Sequence, residues 1–364
     1  MSGMEIKMQT KSQNTADQFN FDQFQFGVKA TDHILVARYR EGEWQSAAIQ
    51  PFEHLSISPL AMCLHYGQTV FEGLKAYKQV NGELSIFRLD RHYERMNESL
   101  QRMAMPNVPE ELFKDGIIKL VELEKEWISD REGYSLYIRP FMIATEERLG
   151  VSISKEYLFM VVCTPMAAYY AKPLKVKVER QYTRAAKGGV GAAKNGGNYG
   201  AAYYPANLAQ QEGFDQVIWT DAETHNYVEE SGTMNLMFIV DGVLLTPPTG
   251  ETILSGVTRD SLIQIAKDFG WQVEVRPISL DEIKQAFDIG KKVEAFGVGT
   301  AAVVAPFELI QLDKVNYQPY VGDDAQMYQL KQKLTAIRSG AEEDTYGWSF
   351  KPITNCYSDA GKMS

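Results

Sequence analysis

A glycine-rich stretch around one lysine organises the interpretation of this sequence: Gly188-Gly189-Val190-Gly191-Ala192-Ala193-Lys194-Asn195-Gly196-Gly197-Asn198-Tyr199-Gly200. Six of its thirteen residues are glycine, and Lys194 is its only charged residue. Glycine at this density indicates backbone with positive φ, or backbone packed closely against another part of the chain. Burial disfavours the ammonium form of a lysine, and a neutral amine is a nucleophile that condenses with aldehydes. The alternative is a surface loop with a solvated lysine. Other parts of the sequence are needed to distinguish this interpretation from a buried, reactive lysine.

The composition is that of a globular protein of about two domains. The chain has 364 residues, of which 45% are hydrophobic and 23% charged, and its formal net charge is −10. An acidic chain argues against nucleic acid or an anionic membrane as the main partner. Cys63, Cys163 and Cys356 form no C-x-x-C pair, which is typical of a reducing compartment without disulfides. No signal peptide, presequence or bilayer-spanning apolar run is recognisable, so we expect a cytoplasmic protein.

Four segments are predicted along the chain. Residues 1–25 form a loose polar tail, 26–165 a small α+β domain, 166–174 an interdomain linker and 175–364 a larger domain. Short strands are joined by hairpin dipeptides such as Asp241-Gly242, and helical patterns lie between them. Mixed, largely antiparallel strands with interspersed helices favour an α+β architecture over a doubly wound parallel sheet.

Three predictions in the larger domain concern its secondary structure. The glycine-rich loop is expected to continue into a helix over Tyr199–Gln211. A strand over Val293–Phe296 is expected to run into a loop at Gly297–Ala301. The next predicted helix covers about Ala325–Gly340.

Two glycine motifs have the outline of nucleotide-binding loops but lack their requirements. In Gly188–Asn195, Ala193 stands where a phosphate-binding loop needs glycine, and Asn195 replaces the magnesium-binding Ser or Thr. Gly297–Ala302 matches G-x-G-x-x-A after a strand, but Pro306 follows too soon for a crossover helix. A dinucleotide-binding fold is therefore disfavoured, whereas a small phosphate nest at Gly297–Ala302 is retained.

Four groups of polar residues in the larger domain complement one another chemically. Lys194 offers an amine, Glu229-Glu230 an anion, Tyr199 a hydroxyl, and Ser255–Thr258 the start of a helix that can hold a phosphate. Each also has an ordinary interpretation, such as surface acids or a helix cap. Together they meet the needs of pyridoxal 5′-phosphate, which requires an amine, an anion beside its pyridine nitrogen, a donor near its phenolic oxygen and a phosphate cradle. The five histidines show no metal-ligand spacing and G-x-S-x-G is absent, so neither a metal site nor a serine hydrolase is predicted.

Nine motifs between Phe26 and the C-terminus also carry a family resemblance. They are Thr31-Asp32-His33, Leu64-His65-Tyr66, Phe71-Glu72-Gly73-Leu74-Lys75-Ala76, Tyr137-Ile138-Arg139-Pro140, Leu149-Gly150-Val151, Lys194-Asn195-Gly196-Gly197-Asn198-Tyr199, Ser231-Gly232-Thr233-Met234-Asn235, Leu254-Ser255-Gly256-Val257-Thr258-Arg259 and Gly299-Thr300-Ala301. The set resembles the branched-chain amino acid aminotransferases, of the fold-type IV pyridoxal-phosphate enzymes. That resemblance implies a small α/β domain, a larger mixed and β-barrel-like domain, and pyridoxal 5′-phosphate as cofactor.

The resemblance implies cofactor-binding roles for particular residues. Lys194 would carry the aldimine and move the proton, Tyr199 would meet the phenolic oxygen, and Glu230 would pair with the pyridine nitrogen. Glu229 would be one register off. The other cofactor residues implied are Arg95, Val257, Thr258 and Thr300 at the phosphate, together with Thr233.

The resemblance also implies a substrate pocket, a reaction and an assembly. The residues implied to line the pocket are Tyr66, Phe71, Tyr137, Arg139, Thr233 and Ala301. The reaction would be a ping-pong transfer of the amino group of leucine, isoleucine or valine to 2-oxoglutarate. Leu149 and Val151 would reach the pocket of a partner subunit, which implies a homodimer. Mammalian relatives carry C-x-x-C after Gly-Thr-Ala; this chain has Ala302-Val303-Val304-Ala305, so no thiol switch is expected there.

Three alternatives stay open at this point. A D-amino acid aminotransferase or an aminodeoxychorismate lyase would share the fold type and the cofactor. A non-catalytic protein that binds a phosphorylated ligand would use the glycine loops alone. The motifs Glu72–Ala76 and Tyr137–Pro140 favour the branched-chain enzyme over the first two. The binding protein needs no aldimine, so the absence of a visible cofactor band would favour it.

Overall fold

Two mixed β-sheets organise the chain in the computed structural model, which describes residues 5–11, 14–22, 25–167 and 172–351. The strands of the first sheet are β1 (Ile6–Met8), β2 (His33–Arg40), β3 (Glu43–Trp44), β4 (Ala47–Pro51), β5 (Thr69–Phe71), β6 (Leu74–Lys78), β7 (Leu84–Phe87), β8 (Ser135–Ala144), β9 (Tyr157–Met166) and β19 (Ser349–Phe350). The strands of the second sheet are β10 (Leu174–Val178), β11 (Gln216–Thr220), β12 (Val228–Ser231), β13 (Met234–Val240), β14 (Val243–Thr246), β15 (Val273–Val275), β16 (Val293–Gly299), β17 (Val303–Leu312) and β18 (Val315–Tyr317). The α-helices are α1 (Cys63–Tyr66), α2 (Leu89–Arg102), α3 (Glu110–Leu123), α4 (Gly196–Gln211), α5 (Val257–Asp268), α6 (Leu280–Asp288) and α7 (Gln326–Ser339).

The first sheet is built on two long antiparallel strands and covered by helices. β8 and β9 pair over ten residues each, from Ser135 opposite Met166 to Ala144 opposite Tyr157. Helix α3 turns an apolar stripe that includes Leu112 and Ile117 into the core beneath the sheet. Helix α3 ends at Leu123, and a 3₁₀ turn over Lys125–Trp127 follows it.

The second sheet closes on itself as a barrel. The strand order β12–β11–β10–β17–β16–β13 is completed by a pairing between β13 and β12, which gives a ring of six strands. β10 pairs in parallel with β11 and β17, whereas β13 and β16 run antiparallel. Mixed strands with helices between them confirm the predicted α+β class and the barrel-like larger half.

The glycine-rich loop ends earlier than predicted. Helix α4 begins at Gly196, not at Tyr199, because the side chain of Asn195 accepts a hydrogen bond from the Asn198 amide and caps the helix. Lys194 therefore lies immediately before an N-cap. Three glycines, Gly196, Gly197 and Gly200, belong to the first turns of the helix, which glycine content alone argues against.

A ten-residue strand in the larger half, β17, was not predicted from the sequence. β17 follows β16 after a three-residue turn and forms an antiparallel hairpin with it, with Gly299 opposite Val303. Pro306 suggested a break, but it lies inside the strand, opposite Phe296. The Gly297–Ala302 motif is thus the tip of a β-hairpin and not a βα turn.

The predicted domain limits can be compared with the structure at the linker and at the C-terminal segment. Residues 168–171 of the linker 166–174 lie outside the described residues, as do several residues of the tail 1–25. β19 comes from the C-terminal segment, yet it pairs with β7 in the first sheet, and the Arg88 amide donates a hydrogen bond to the Trp348 carbonyl beside this pair.

Cys63 and Cys163 are free thiols, and Cys356 lies outside the described residues. Within the described ranges, every helix is too short or too polar to cross a membrane.

Candidate active site

A cavity opens where the two sheets meet, and it contains Lys194. It has about 930 Å³ of space, counting the part that is open to solvent. The residues predicted for a site that line this cavity are Lys194, Arg95, Tyr199, Glu230, Thr233, Val257, Thr258, Thr300, Phe71, Tyr137, Arg139 and Ala301. The fold therefore brings together residues that are as much as 230 positions apart in the chain, counting from Phe71 to Ala301 (301 − 71 = 230).

Lys194 is held by both halves of the structure. Its backbone amide donates to Ser99 Oγ of α2 at 2.9 Å, and its carbonyl accepts from the Phe71 amide at 3.0 Å. Its side-chain Nζ lies 2.8 Å from Tyr199 Oη and 4.7 Å from the centre of the Phe71 ring. The amine is thus fixed by neutral groups inside a half-buried aromatic pocket, with no carboxylate hydrogen-bonded to it within the described residues.

Close packing explains most of the glycines around Lys194. A Cβ on Gly191 would lie 2.8 Å from the Thr252 backbone, and one on Gly196 would lie 2.6 Å from Thr69 Oγ1. Gly188 alone in the stretch has a positive φ, of 73°. Close approach of backbone, the second of the two explanations considered for this loop, is therefore the main one.

Glu230 is the carboxylate that faces the cavity. It is 4% exposed, and its Oε1 accepts from the Leu254 amide at 2.9 Å and from Asn235 Nδ2 at 3.1 Å. Its Oε2 lies 3.2 Å from Arg184 Nε, an ion pair without hydrogen-bond geometry. Burial raises the pKa of the Glu230 carboxyl, and the positive charge of Arg184 opposes that rise without cancelling it.

Glu229 faces the other way because neighbouring residues of β12 alternate between its two sides. Its Oε1 accepts from Thr252 Oγ1 at 2.6 Å, and it does not line the cavity. Its Oε2 and the Nε of Arg184 are buried without a hydrogen-bond partner among the described residues. Buried polar atoms of this kind are uncommon in folded proteins, and they cluster here beside the cavity.

The start of α5 forms a second polar wall. Gly256 is its N-cap and has no side chain to satisfy the first amides of the helix. A Cβ at Gly256 would lie 1.8 Å from Asn235 Oδ1, so the same asparagine that holds Glu230 requires glycine here. Val257 and Thr258 open this twelve-residue helix at the cavity, where free amides and the helix dipole favour an anion.

Arg95 reaches the same wall from the other half. Its Nη1 donates to the Ser255 carbonyl at 2.9 Å, while its Nε and Nη2 contact both oxygens of Glu72 at 2.7 and 2.9 Å. His92 Nδ1 completes the group at 2.8 Å from Glu72. Burial alone would raise the pKa of the Glu72 carboxyl, but the charge of Arg95 and these hydrogen bonds hold it well below its usual range.

The opposite wall is aromatic and carries one guanidinium. Arg139 lies 4.8 Å from the Phe71 ring centre and donates from Nη2 to Tyr137 Oη at 2.9 Å. Its Nε is buried without a hydrogen-bond partner among the described residues. Phe26 packs edge-on against Tyr137 with ring centres 5.1 Å apart, and it also lines the cavity. An apolar chain and a carboxylate can each find a partner on this wall.

Three predicted residues lie away from this cavity. Tyr66, 41% exposed, donates a hydrogen bond to the Leu149 carbonyl. Leu149 and Val151 are exposed, Val151 by 84%. The structure of one chain therefore gathers these residues on an outer surface, beside exposed Leu60 and Leu64. Tyr66 does not line the pocket of its own chain as predicted. That Leu149 and Val151 reach the pocket of a partner subunit stays a prediction.

Several residues of the site had no predicted role. Phe26 lies in a segment that the sequence marks only by a change of pattern, and Glu72 was noted only as part of a motif. Glu72 was the better signal, since an acid between apolar strand residues requires a buried cation. Arg184 carried no local signal, because its partner Glu230 lies far along the chain, in β12.

The chain matches the family "Amino-transferase class IV" over residues 69–310. A "probable branched-chain-amino-acid aminotransferase" of Staphylococcus epidermidis is 44% identical over 332 residues, which cover 89% of this chain and 92% of that protein. The structure resembles that of a branched-chain aminotransferase from Thermoproteus uzoniensis with norvaline, with a TM-score of 0.72 and 26% identity over 88% of this chain and 99% of that one. It also resembles a T.th. branched-chain amino acid aminotransferase complexed with N-(5′-phosphopyridoxyl)-L-glutamate, with a TM-score of 0.69 and 30% identity over 86% and 97% of the two chains.

Proposed function

The chain belongs to the class IV aminotransferases, among the branched-chain-amino-acid aminotransferases, and from that membership we propose the reaction that it catalyses. It exchanges the amino group of leucine, isoleucine or valine for the keto oxygen of 2-oxoglutarate, giving glutamate and the branched 2-oxo acid. The observation that carries this proposal is the cavity in which the Lys194 amine, Glu230 and the start of α5 meet an aromatic wall with one arginine. The phosphopyridoxyl derivative of L-glutamate bound to the T.th. enzyme supports the choice of acceptor.

Pyridoxal 5′-phosphate is the cofactor, and the residues present fit it. Lys194 provides the amine for its aldehyde, Tyr199 a hydroxyl beside that amine, and Glu230 a buried carboxylate for its pyridine nitrogen. The amides of Val257 and Thr258, with Thr300 and Arg95, form a cradle for its phosphate. When bound, this cofactor supplies an electron sink that stabilises the carbanion left by removal of the α-proton.

The chain's own residues bind the substrates and move the proton. Lys194 Nζ takes the α-proton of the amino acid and returns a proton during formation of the oxo acid, because its amine is held in the cavity by Tyr199 at 2.8 Å. Burial raises the pKa of the Glu230 carboxyl, and its contacts with Arg184 and the Leu254 amide oppose that rise and so favour the charged form.

One pocket has to accept both an apolar and an acidic side chain in turn. Phe71, Tyr137 and Phe26 offer apolar surface to a branched chain, and Arg139 offers an ion-pair partner to the second carboxylate of 2-oxoglutarate. The Arg139 guanidinium stacks on Phe71 and donates to Tyr137, and among the described residues no carboxylate pairs with it, so it can bind a carboxylate of the substrate. The same pocket therefore serves both halves of a ping-pong reaction.

We further propose that the enzyme is a cytoplasmic homodimer. Exposed Tyr66, Leu149 and Val151 form an apolar surface of a kind that marks protein interfaces. The loop that carries Leu149 and Val151 would then close the cavity of the second subunit. Sedimentation of the purified enzyme measures the assembly directly, and a monomer that is fully active would contradict this part of the proposal.

Replacement of Lys194 tests the proposed centre. Lys194→Ala should fold with an unchanged melting temperature within a few degrees, but turnover of L-leucine with 2-oxoglutarate should fall at least about 10⁴-fold, because the amine both binds the cofactor and moves the proton. Exposed Lys187, in the same loop, is the matched control and should tolerate alanine. Normal turnover by Lys194→Ala would reject the proposal.

The amino donor that the enzyme accepts distinguishes the proposed activity from the two alternatives that share its fold type and cofactor. L-Leucine, L-isoleucine and L-valine should each yield a 2-oxo acid, whereas D-alanine should not. Activity with D-alanine alone would favour a D-amino acid aminotransferase. Release of pyruvate from aminodeoxychorismate without amino transfer would favour the lyase.

A further inference from the structure

Lys75 is a buried lysine next to the cavity, and the proposed reaction gives it no role. It is 5% exposed, and its Nζ donates to the Ala301 carbonyl at 3.2 Å. That bond joins β6 of the first sheet to the turn between β16 and β17 of the second sheet. Within the described residues, Lys75 has no ion-pair partner, which is unusual for a buried lysine.

The register of the first sheet puts Lys75 on the cavity side. Lys75 lies opposite Tyr137 in the β6–β8 ladder, and opposite residues in an antiparallel pair share a face. Gly73, two residues earlier on that face, lines the cavity, and a Cβ there would lie 2.0 Å from Tyr137 Oη. Tyr137 thus crosses over Gly73, and Lys75 stands directly behind this aromatic wall.

The turn that Lys75 contacts has an unfavourable backbone. Thr300, Ala301 and Ala302 connect β16 to β17, and Val303 follows with a φ of 62°. Three-residue hairpin loops commonly place a left-handed residue at this point, but glycine or asparagine is the usual choice. A β-branched residue in this conformation is strained, so surrounding contacts have to hold the turn in place.

The charged group that acts on Lys75 is a cation and not an acid, which fits a hydrogen bond from Lys75 to a neutral carbonyl. Burial, together with the positive charge of Arg338, lowers the pKa of the Lys75 ammonium to about 7. Arg338 packs on the Phe87 ring at 4.2 Å and also has no ion-pair partner among the described residues. A lysine placed for a salt bridge would have an acid here, whereas this one meets a backbone oxygen.

We propose that Lys75 is a positioning residue for the proposed aminotransferase: from the cavity face of the first sheet it clamps the Thr300–Val303 turn and so sets the affinity for substrates. The carbonyl of Ala301 and the amide of Ala302 belong to one planar peptide and point in opposite directions. Holding that carbonyl therefore fixes the orientation of the next amide and of Thr300 and Ala301, which line the cavity. The inference rests on the proposed function for its effect on substrates, but not for its effect on the turn.

The first test is Lys75→Met, which keeps the length of the side chain and removes the donor. Loss of one hydrogen bond corresponds to about a five-fold effect. We expect KM for both L-leucine and 2-oxoglutarate to rise about five-fold while kcat changes less than two-fold. Lys78→Met, on the same strand but the opposite face and paired with exposed Asp130, is the matched control and should leave both constants unchanged. An unchanged KM, or a fall in kcat alone, would overturn the proposal.

Hydrogen exchange of the turn tests the clamp without any reaction. Amides of residues 300–303 should exchange about five-fold faster in Lys75→Met than in the wild type or in Lys78→Met. Val303→Gly should relieve the strain, and adding it to Lys75→Met should restore slow exchange and part of the substrate affinity. If the wild type fails to transaminate L-leucine, the proposed function falls, whereas exchange that is equal in all variants removes the clamp. A Lys75→Met protein that does not fold even with Val303→Gly would make Lys75 a core residue and would also overturn the inference.

Discussion

Two buried carboxylates near the cavity, Glu72 between β5 and β6 and Glu230 in β12, have contrasting surroundings. Glu72 is satisfied by Arg95, His92 and the Gly73 amide, and its pKa is held low. Glu230 receives hydrogen bonds on one oxygen only, pairs loosely with Arg184, and has a raised pKa. Both lie at the same site. Protein groups donate hydrogen bonds to both oxygens of Glu72, whereas Oε2 of Glu230 receives none from the described residues.

The contrast separates a structural ion pair from a group that is prepared for a ligand. Removing one partner of a complete buried pair leaves a charge without compensation and costs stability. A buried acid that still has capacity on the cavity side should contribute less to stability and more to chemistry. The two glutamates can be tested against each other by matched substitutions.

The largest expected effect is on catalysis, from Glu230→Gln. Glutamine keeps an acceptor for the Leu254 amide but removes the charge for the pyridine nitrogen. We expect kcat with L-leucine and 2-oxoglutarate to fall about 10³-fold, as when preorganised electrostatic groups are removed from active sites. Glu229→Gln, on the neighbouring residue of the same strand, should retain activity within about three-fold. Equal losses of kcat in the two variants would contradict the assignment of the catalytic role to Glu230, on the cavity side of β12, and not to Glu229.

The next effect is on stability, from Glu72→Gln. This variant leaves Arg95 buried without a counter-charge, so the free energy of unfolding should fall by about 3 kcal/mol. Glu98→Gln, which breaks an exposed pair with Arg91 on the same helix, should change it by less than about 1 kcal/mol. Denaturant unfolding of the cofactor-free proteins measures both. A Glu72→Gln protein as stable as the wild type would show that this group is not the structural one.

A smaller effect is expected from Tyr199→Phe. The substitution keeps the ring packed at 5.1 Å from Phe71 and removes only the hydroxyl that contacts Lys194. We expect kcat to fall about ten-fold, the value of one hydrogen bond to a charged or reacting group. Tyr203→Phe, one turn further along α4 and exposed, should behave as the wild type.

The smallest effect is on the pH dependence of stability, where the two glutamates should act with opposite sign. The folded pKa of Glu72 lies below the unfolded value of about 4.5, so its stabilisation is present above pH 4.5 and is lost as pH falls. The folded pKa of Glu230 lies above 4.5, so the cofactor-free protein should lose stability as pH rises through that value. Each slope is at most about 1.4 kcal/mol per pH unit. Melting curves of both Gln variants between pH 3.5 and 7 should each lack one of these slopes, and parallel curves would contradict the assignment.

Much of the architecture can be predicted from local patterns. The helical patterns, the hairpin at Asp241-Gly242 and the mixed strands led to the α+β class because these signals depend on near neighbours in the chain. The start of α4 was misplaced because three glycines outweighed the Asn195 cap. β17 was missed because Pro306 suggests a break, whereas its missing amide is tolerated in this strand.

The candidate site can be predicted only in part. Lys194, Tyr199 and Glu230 occur in motifs that indicate their chemistry, and the cavity contains all three. Arg184 and Lys75 act through partners that are far away in the chain, so no local pattern marks them. The outer position of Tyr66 is also not evident in the sequence, since it depends on a hydrogen bond to the Leu149 carbonyl, far along the chain.

The most direct test of the central claim is the absorption spectrum of the purified protein before and after addition of L-leucine. We predict a visible band from pyridoxal 5′-phosphate bound at Lys194, its conversion to a band at shorter wavelength with L-leucine, and its return with 2-oxoglutarate. This cycle would establish cofactor, donor and acceptor together. Absence of a visible band after the cofactor has been supplied, or a band that L-leucine leaves unchanged, would contradict the account.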